Sequence, residues 1–254
     1  MRHLRLALAA LALASSTAAV SPARAEILTA PAPAPDAPPL DRLLAGAARH
    51  AQQIEEMGKR GSFTVNGRIE QLDGKGQVGK TIDLVLRSVA TPAKRKTELI
   101  RYTEDGVDKT AEERAKSEKQ RAEREKSGKA KKPKNELHLP FAPSEQPLYV
   151  FSISERDPGR KQTRVTFQPI ASSDTTYKGS VWIDEASGDV LTLAFSPSKT
   201  PMFVDKIEVT MRFDLVTPLG RAPSAIAGEV HAGLPLFKKH FRGRATISDP
   251  AVAF

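Results

Sequence analysis

The chain has 254 residues, no cysteine and a formal charge of +9 at pH 7. That length allows a domain large enough to bury a core without crosslinks. The missing Cys excludes disulfides, thiolate metal sites, a thiol nucleophile and the lipid-bearing cysteine of a bacterial lipoprotein.

Residues 1–25 predict a cleavable secretory signal peptide. Arg2 and Arg5 give it a positive start, residues 6–13 contain only Leu and Ala, and Ala25 ends a small-x-small cleavage motif. The apolar run is shorter than the ~20 residues of a membrane-spanning helix. We therefore expect a product that is cleaved after Ala25, is periplasmic and is not lipid-anchored.

Residues 26–39 are rich in Pro and Ala and predict an extended linker. Apolar residues then recur at helical spacing from Leu40 to Ile54, which predicts one amphipathic helix ending near Gly58. Residues 40–254 are expected to form a single domain, with a charged insertion at 108–135.

From Ser62 the spacing of apolar residues changes from helical to alternating. Alternating runs at 63–69 and 82–86 flank a glycine-rich segment, which predicts a hairpin, and a third strand is expected at Thr97–Thr103. Successive strands follow from Leu148 onward. The clearest of them has polar residues alternating with Ile207, Val209, Met211, Phe213 and Leu215.

These patterns predict an α+β fold: a strongly curved antiparallel β-sheet, or half-barrel, covered by one or two helices. Strands with one apolar face must cover that face. One helix, ~10 Å wide, cannot cover about nine strands spaced ~5 Å apart. We therefore expect the sheet to curve around a hollow that is partly lined by apolar side chains.

Residues 110–134 form a basic arm with ten basic and five acidic side chains. Thr110 and Glu113 fit a capping box, and alanine is the only apolar residue type in the arm. A helix without an apolar stripe is expected to project into solvent or to be partly disordered. No aromatic residue is interleaved with the charges, so nucleic acid is not an expected partner. Contact with an acidic membrane surface is the functional alternative.

The segment Gly74–Thr81 satisfies the P-loop pattern G-x-x-x-x-G-K-[ST]. A working P-loop needs a buried parallel strand before it and a helix after it. Here half-polar alternating runs lie on both sides. The segment is therefore interpreted as a hairpin turn, and P-loop nucleotide binding is the least favoured function.

No catalytic motif is evident. The five histidines include no HExxH pair, and neither a G-x-S-x-G elbow nor an S-x-x-K set is present. His231 and His240 would face each other on adjacent strands, but two ligands without a nearby carboxylate cluster are typical of surface imidazoles. We expect no enzyme activity, no catalytic residues, no cofactor and no metal.

Residues 177–199 (YKGSVWIDEASGDVLTLAFSPSK) and 203–216 (FVDKIEVTMRFDLV) resemble the sheet hairpins of LolA-like outer-membrane lipoprotein-sorting proteins. The resemblance extends over residues 40–248, and RYTEDGVDKTAEE introduces the insertion that marks an uncharacterised branch. It implies a periplasmic half-barrel of the LolA/LolB-like kind whose concave face binds acyl chains. Related proteins use the same fold to sense envelope stress by binding regulators of sigma factors.

The sequence thus predicts a non-catalytic periplasmic protein that binds a lipid or an acylated lipoprotein partner in an apolar cavity, in outer-membrane lipoprotein or lipid trafficking. The alternative is an envelope-stress sensor, a regulatory protein-interaction module on the same fold. The expected cavity residues are Leu191, Leu193, Phe195, Ile207, Val209, Met211 and Phe213. The same residues could instead form a filled core.

Overall fold

The structure is a computed structural model that describes residues 38–90, 95–126, 138–200, 202–234 and 237–252. The predicted signal peptide and nearly all of the predicted linker lie outside the described residues. So does the end of the basic arm, at 127–134. The boundaries predicted for these segments therefore remain predictions.

Two helices and thirteen strands follow one another in the described chain. The helices are α1 (Leu40–Arg60) and α2 (Thr110–Lys126), and a 3-10 turn lies at Gln146–Leu148. The strands are β1 (Gly61–Leu72), β2 (Val78–Ala90), β3 (Arg95–Glu104), β4 (Val107–Asp108), β5 (Tyr149–Asp157), β6 (Gln162–Pro169), β7 (Tyr177–Asp184), β8 (Val190–Pro197), β9 (Val204–Arg212), β10 (Leu215–Thr217), β11 (Gly220–Ala222), β12 (Ala225–Leu234) and β13 (Phe237–Val252).

Eleven strands form one antiparallel sheet in the order β4-β3-β2-β1-β13-β12-β9-β8-β7-β6-β5, and β10 and β11 form a separate hairpin. Sequence neighbours pair throughout this order, except where β12 pairs with β9 across the β10–β11 hairpin and where β13 returns to pair with β1. The α+β fold with an antiparallel sheet and two helices is thereby confirmed. The strong curvature remains a prediction.

Helix α1 covers one half of the sheet. Its apolar stripe buries Leu43, Ala47 and Ala51 against side chains of β6 to β9. The loop before β5 adds Phe141, which is fully buried in the same cluster. The side-chain amide of Gln146 donates to the backbone oxygens of Leu44 (3.2 Å) and Phe141 (2.9 Å) and so holds this loop on the helix.

The strand predicted to run through Leu215 ends earlier, at Arg212. Phe213 keeps a backbone hydrogen bond to Leu191 of β8, but Ser224 donates from its backbone to Arg212. The chain then leaves the main sheet as the β10–β11 hairpin. The alternation of buried and exposed side chains nevertheless extends past the end of the strand, since Phe213 is fully buried in the core.

The α1 helix is long enough to cross a bilayer but is amphipathic. In the part of the chain that the structure describes, no helix is both long and apolar enough to span a membrane.

Candidate ligand-binding face

The sheet has an inner face, defined here as the face on which α1 packs, and an opposite outer face. Strand pairs place residues of the same face opposite one another. Leu193 lies opposite Met211, and Val209 lies opposite Gly228. Gly228 lies opposite Gly243, which lies opposite Ile69. The inner face is therefore apolar across the join between the two halves of the sheet.

Two clusters of buried side chains divide this face. The first cluster lies under α1 and includes Val165, Val181, Leu193 and Phe213. The second cluster consists of Ile69, Ile82, Leu84, Tyr102, Val230 and Phe241. Its described members all belong to strands, and Ile207 packs against both clusters. The apolar face thus extends well beyond the strands under α1.

Most of the predicted cavity residues lie together in the first cluster. Leu193 and Phe213 are at most 1% exposed, and Phe195, Val209 and Met211 are also buried there. Ile207 is partly buried at the border of the two clusters. Leu191 is half-buried beside the irregularity in the β7–β8 pairing. Their role in ligand binding remains a prediction.

A depression lies next to Val209, where two glycines face each other on β12 and β13. A Cβ added to Gly243 would meet no atom within 4 Å. The depression has a volume of about 30 Å³. Its apolar lining comprises Ile69, Val209, Ile226, Gly228, Val230, Phe241 and Gly243. Neither glycine was among the predicted cavity residues. Each occupies a position in an alternating strand where an apolar side chain would be expected, and that position could have identified it.

A polar cavity of about 430 Å³ lies between the start of α2 and the sheet. Tyr102 and Phe241 of the second cluster form part of its wall. Around them lie the ion pairs of Glu104 with Lys80 (2.7 Å) and with Lys109 (3.3 Å). Lys239 also lines the cavity. An apolar cluster therefore adjoins a charged rim.

The hydroxyl of Tyr102 is buried without a hydrogen-bond partner within the described ranges. Burial, together with the nearby charge of Glu104, raises the pKa of Tyr102 to about 12. The hydroxyl therefore stays protonated at physiological pH. Because its oxygen is shielded from solvent, a bound molecule reaches this hydroxyl only if neighbouring side chains move.

The start of the basic arm is fixed to the sheet and does not project freely. The Thr110 hydroxyl lies 2.9 Å from the Tyr102 backbone nitrogen, which donates to it, and Arg114 Nε donates to the Leu99 oxygen at 2.8 Å. The Asp108 carboxylate accepts from the Thr110 backbone N–H at 2.8 Å. The Thr110 hydroxyl thus binds the backbone of β3. The capping-box prediction, in which this hydroxyl would cap its own helix, is wrong.

The P-loop pattern forms the β1–β2 hairpin. Asp73 and Gln77 close the turn through a 2.9 Å backbone hydrogen bond, and Gly76 has φ +78°. Lys80 and Thr81 then lie in β2, which is antiparallel to β1. Because no helix follows, the segment has no helix N-terminus to point at a phosphate. The hairpin interpretation is confirmed.

His231 and His240 lie opposite each other on the outer face, as the sequence predicts. The sequence analysis did not place Glu229 with them. Glu229 is two residues before His231 on the same strand, and successive odd positions share a face. Its carboxylate lies 3.9 Å from His231 Nε2 and 3.8 Å from His240 Nε2.

No protein-family model matches the chain, and no curated protein sequence matches it. Among solved structures, a putative outer membrane lipoprotein-sorting protein domain from Vibrio parahaemolyticus is 15% identical, with a TM-score of 0.38, over 82% of this chain and 93% of that chain. A LolA superfamily protein from Nitrosomonas europaea is 11% identical, with a TM-score of 0.31, over 81% and 94%. One chain in the structure of the Pseudomonas aeruginosa MucA/MucB complex is 10% identical, with a TM-score of 0.22, over 79% of this chain and 93% of that chain. Over most of its length, and at low identity, the chain matches solved structures of the LolA superfamily and of lipoprotein-sorting domains.

Proposed function

We propose that the protein is a non-catalytic binding protein that takes up an acyl chain of a lipid or lipoprotein on its inner face. The observation that carries this proposal is the second cluster: it extends the apolar face beyond α1, and its described members come from strands alone. The depression over Gly228 and Gly243 lies along it.

The shape of the inner face suits a narrow apolar chain. Val209, Gly228, Gly243, Ile69 and Ile82 lie opposite one another in sequence across five neighbouring strands. Strands are spaced ~4.8 Å apart, so this row is roughly 19 Å long. Because glycines lack side chains, the middle of the row is lower than its ends. An acyl chain laid along it gains about 0.8 kcal/mol for each CH₂ that it buries.

The polar cavity suits the other end of an amphiphile. Phe241 lines both the depression and the polar cavity, so the two lie next to each other. A head group placed under α2 would meet Lys239. The predicted residues Ile207, Val209 and Met211 would then contact the acyl chain from the side of α1, whereas Leu193, Phe195 and Phe213 support them from the first cluster.

Export fits this role. The N-terminal pattern of residues 1–25 and the absence of Cys support a free periplasmic protein, and we propose a role in outer-membrane lipoprotein or lipid trafficking. Binding of this kind requires burial of apolar surface and no bond-making step.

The test is mass spectrometry of lipids extracted from protein that has been purified from its native envelope without detergent. The proposal predicts a bound acyl-containing molecule at close to one per chain. Protein that carries no lipid, does not take up a fatty acid or acylated peptide and captures a protein regulator would contradict the proposal and favour the sensing function.

A further inference from the structure

Three metal-ligating side chains converge on the outer face, opposite the proposed ligand. His231 of β12 lies opposite His240 of β13, and Glu229 precedes His231 by two residues. Their potential ligand atoms all lie within 4.8 Å of one another. Antiparallel register therefore produces a cluster of two imidazoles and one carboxylate that the linear sequence separates.

The two imidazoles lack the partners that buried ring nitrogens normally have. The Nε2 atoms of His231 and His240 are shielded from solvent and have no hydrogen-bond partner within the described residues. Both point toward the Glu229 carboxylate at 3.9 and 3.8 Å, which is too long for a hydrogen bond. The ring centroids are 3.9 Å apart. The three groups thus lie around one point without forming hydrogen bonds to one another.

The neighbouring cations have carboxylate partners of their own. Lys206, whose Nζ is 4.0 Å from Glu229, lies closer to Glu208, at 2.9 Å. Arg242 makes two hydrogen bonds to Glu70, at 2.9 and 2.7 Å. Their charges are therefore compensated locally, which leaves the Glu229 carboxylate free to serve a cation.

We propose that His231 Nε2, His240 Nε2 and the Glu229 carboxylate form a Zn²⁺ site. Imidazole nitrogen with one carboxylate suits Zn²⁺, whereas Mg²⁺ and Ca²⁺ prefer all-oxygen sites. Tetrahedral bonds of ~2.0–2.1 Å place ligand atoms roughly 3.3 Å apart. The Glu229 carboxylate lies 3.8–3.9 Å from each Nε2, and all three ligand atoms lie within 4.8 Å of one another, so metal binding would draw them closer together. Water would fill the fourth position, as in other sites with three protein ligands.

A metal bound here would crosslink β12 and β13, the strands that also carry Gly228 and Gly243 on the inner face. Zn²⁺ should therefore raise the melting temperature of the whole domain, because a ligand that binds only the folded state stabilises it.

The test is a chelator-competition titration of the untagged full chain with Zn²⁺, after metal has been stripped with EDTA. The proposal predicts one Zn²⁺ per chain and no competition by Mg²⁺. His231→Gln, His240→Gln and Glu229→Gln should each weaken binding at least about tenfold. X-ray absorption should show two imidazoles in the coordination shell, with bonds of ~2.0–2.1 Å.

The matched control is His138→Gln, because His138 also lies near a carboxylate, 3.5 Å from Glu145, but has no second imidazole. It should leave the affinity unchanged. All four substitutions are at exposed or half-exposed side chains, so circular dichroism should confirm that each variant folds. Absence of stoichiometric Zn²⁺ binding, or equal affinity in the parent and both outer-face histidine variants, would overturn the proposal.

Discussion

Gly46 of helix α1 lies so close to Gly188 of the β7–β8 turn that a Cβ on Gly46 would be 2.5 Å from the Gly188 Cα. Gly188 itself has φ +77°, a conformation that favours glycine. This backbone contact lets α1 approach the sheet closely over β7 and β8. Together with the buried first cluster, it makes this half of the inner face a packed core.

Gly46→Ala should therefore destabilise the fold by about 1–3 kcal/mol, since the added methyl group overlaps backbone atoms that cannot move aside cheaply. Gly58→Ala in the same helix is the matched control. A Cβ there meets nothing within 4 Å, so better helix propensity should stabilise the protein by about 0.5–1 kcal/mol. Urea unfolding measures both. Equal effects of the two substitutions would show that the contact is not close.

The neutral ring of His50 predicts a pH dependence. Its Nδ1 accepts from the Val190 N–H at 2.9 Å, and its Nε2 donates to the Arg221 oxygen at 2.7 Å. Burial lowers the pKa of His50 below 6.5, despite this hydrogen bond and the charge of Asp189. The unfolded state then binds the proton first. The contribution of neutral His50 to the free energy of unfolding is therefore complete above pH 6.5 and is lost as the pH falls below that value.

Protonation of His50 should thus lower the free energy of unfolding by at most about 1.4 kcal/mol for each unit by which the pH falls. His50→Gln can accept and donate in similar directions but does not titrate in this range. Its unfolding free energy should depend less on pH between 6.5 and 5 than that of the parent protein. Parallel curves for the two proteins would contradict this account.

Glu185 should be important for stability because it is held by two partners. Arg156 donates to it at 2.8 and 3.0 Å, and the buried Thr163 hydroxyl donates at 2.7 Å. The hydrogen bond from Arg156 and that from Thr163 lower the pKa of Glu185. Glu185→Ala should cost about 1.5–3 kcal/mol. Glu155→Ala, which removes an exposed ion pair with Arg164 at 3.4 Å, should cost less than about 0.5 kcal/mol. Thermal unfolding of both variants distinguishes them.

How far the sequence predicts this molecule depends on how local each signal is. Alternation located the strand from Val204 to Arg212, because burial of every second residue is a local pattern. The departure of the chain after Arg212 depends on pairing with Leu191 and Ser224, which are distant in sequence. Glu229 joined His231 and His240 only once register was known. Phe141 lies in a loop, where no periodicity indicates burial.

The proposed head-group site predicts a charge preference. Lys239 lines the polar cavity and has no ion pair within the described residues. Lys239→Gln should weaken binding of a fatty acid by about two- to fivefold, the range expected for a partly exposed charge pair. Binding of the corresponding neutral methyl ester should not change. Equal losses for both ligands would show that Lys239 acts through structure and not through its charge.

Filling the depression on the inner face tests most directly whether an acyl chain binds there. Gly243→Leu places a side chain where a Cβ now meets nothing within 4 Å, and Gly74→Leu places the same side chain in the exposed β1–β2 turn, where a Cβ is equally unobstructed. The measurement is titration of each folded variant with a fluorescent fatty acid. We expect Gly243→Leu to lose at least about tenfold in affinity and Gly74→Leu to bind as the parent protein does. Equal binding by all three proteins would contradict the assignment of the acyl chain to this face.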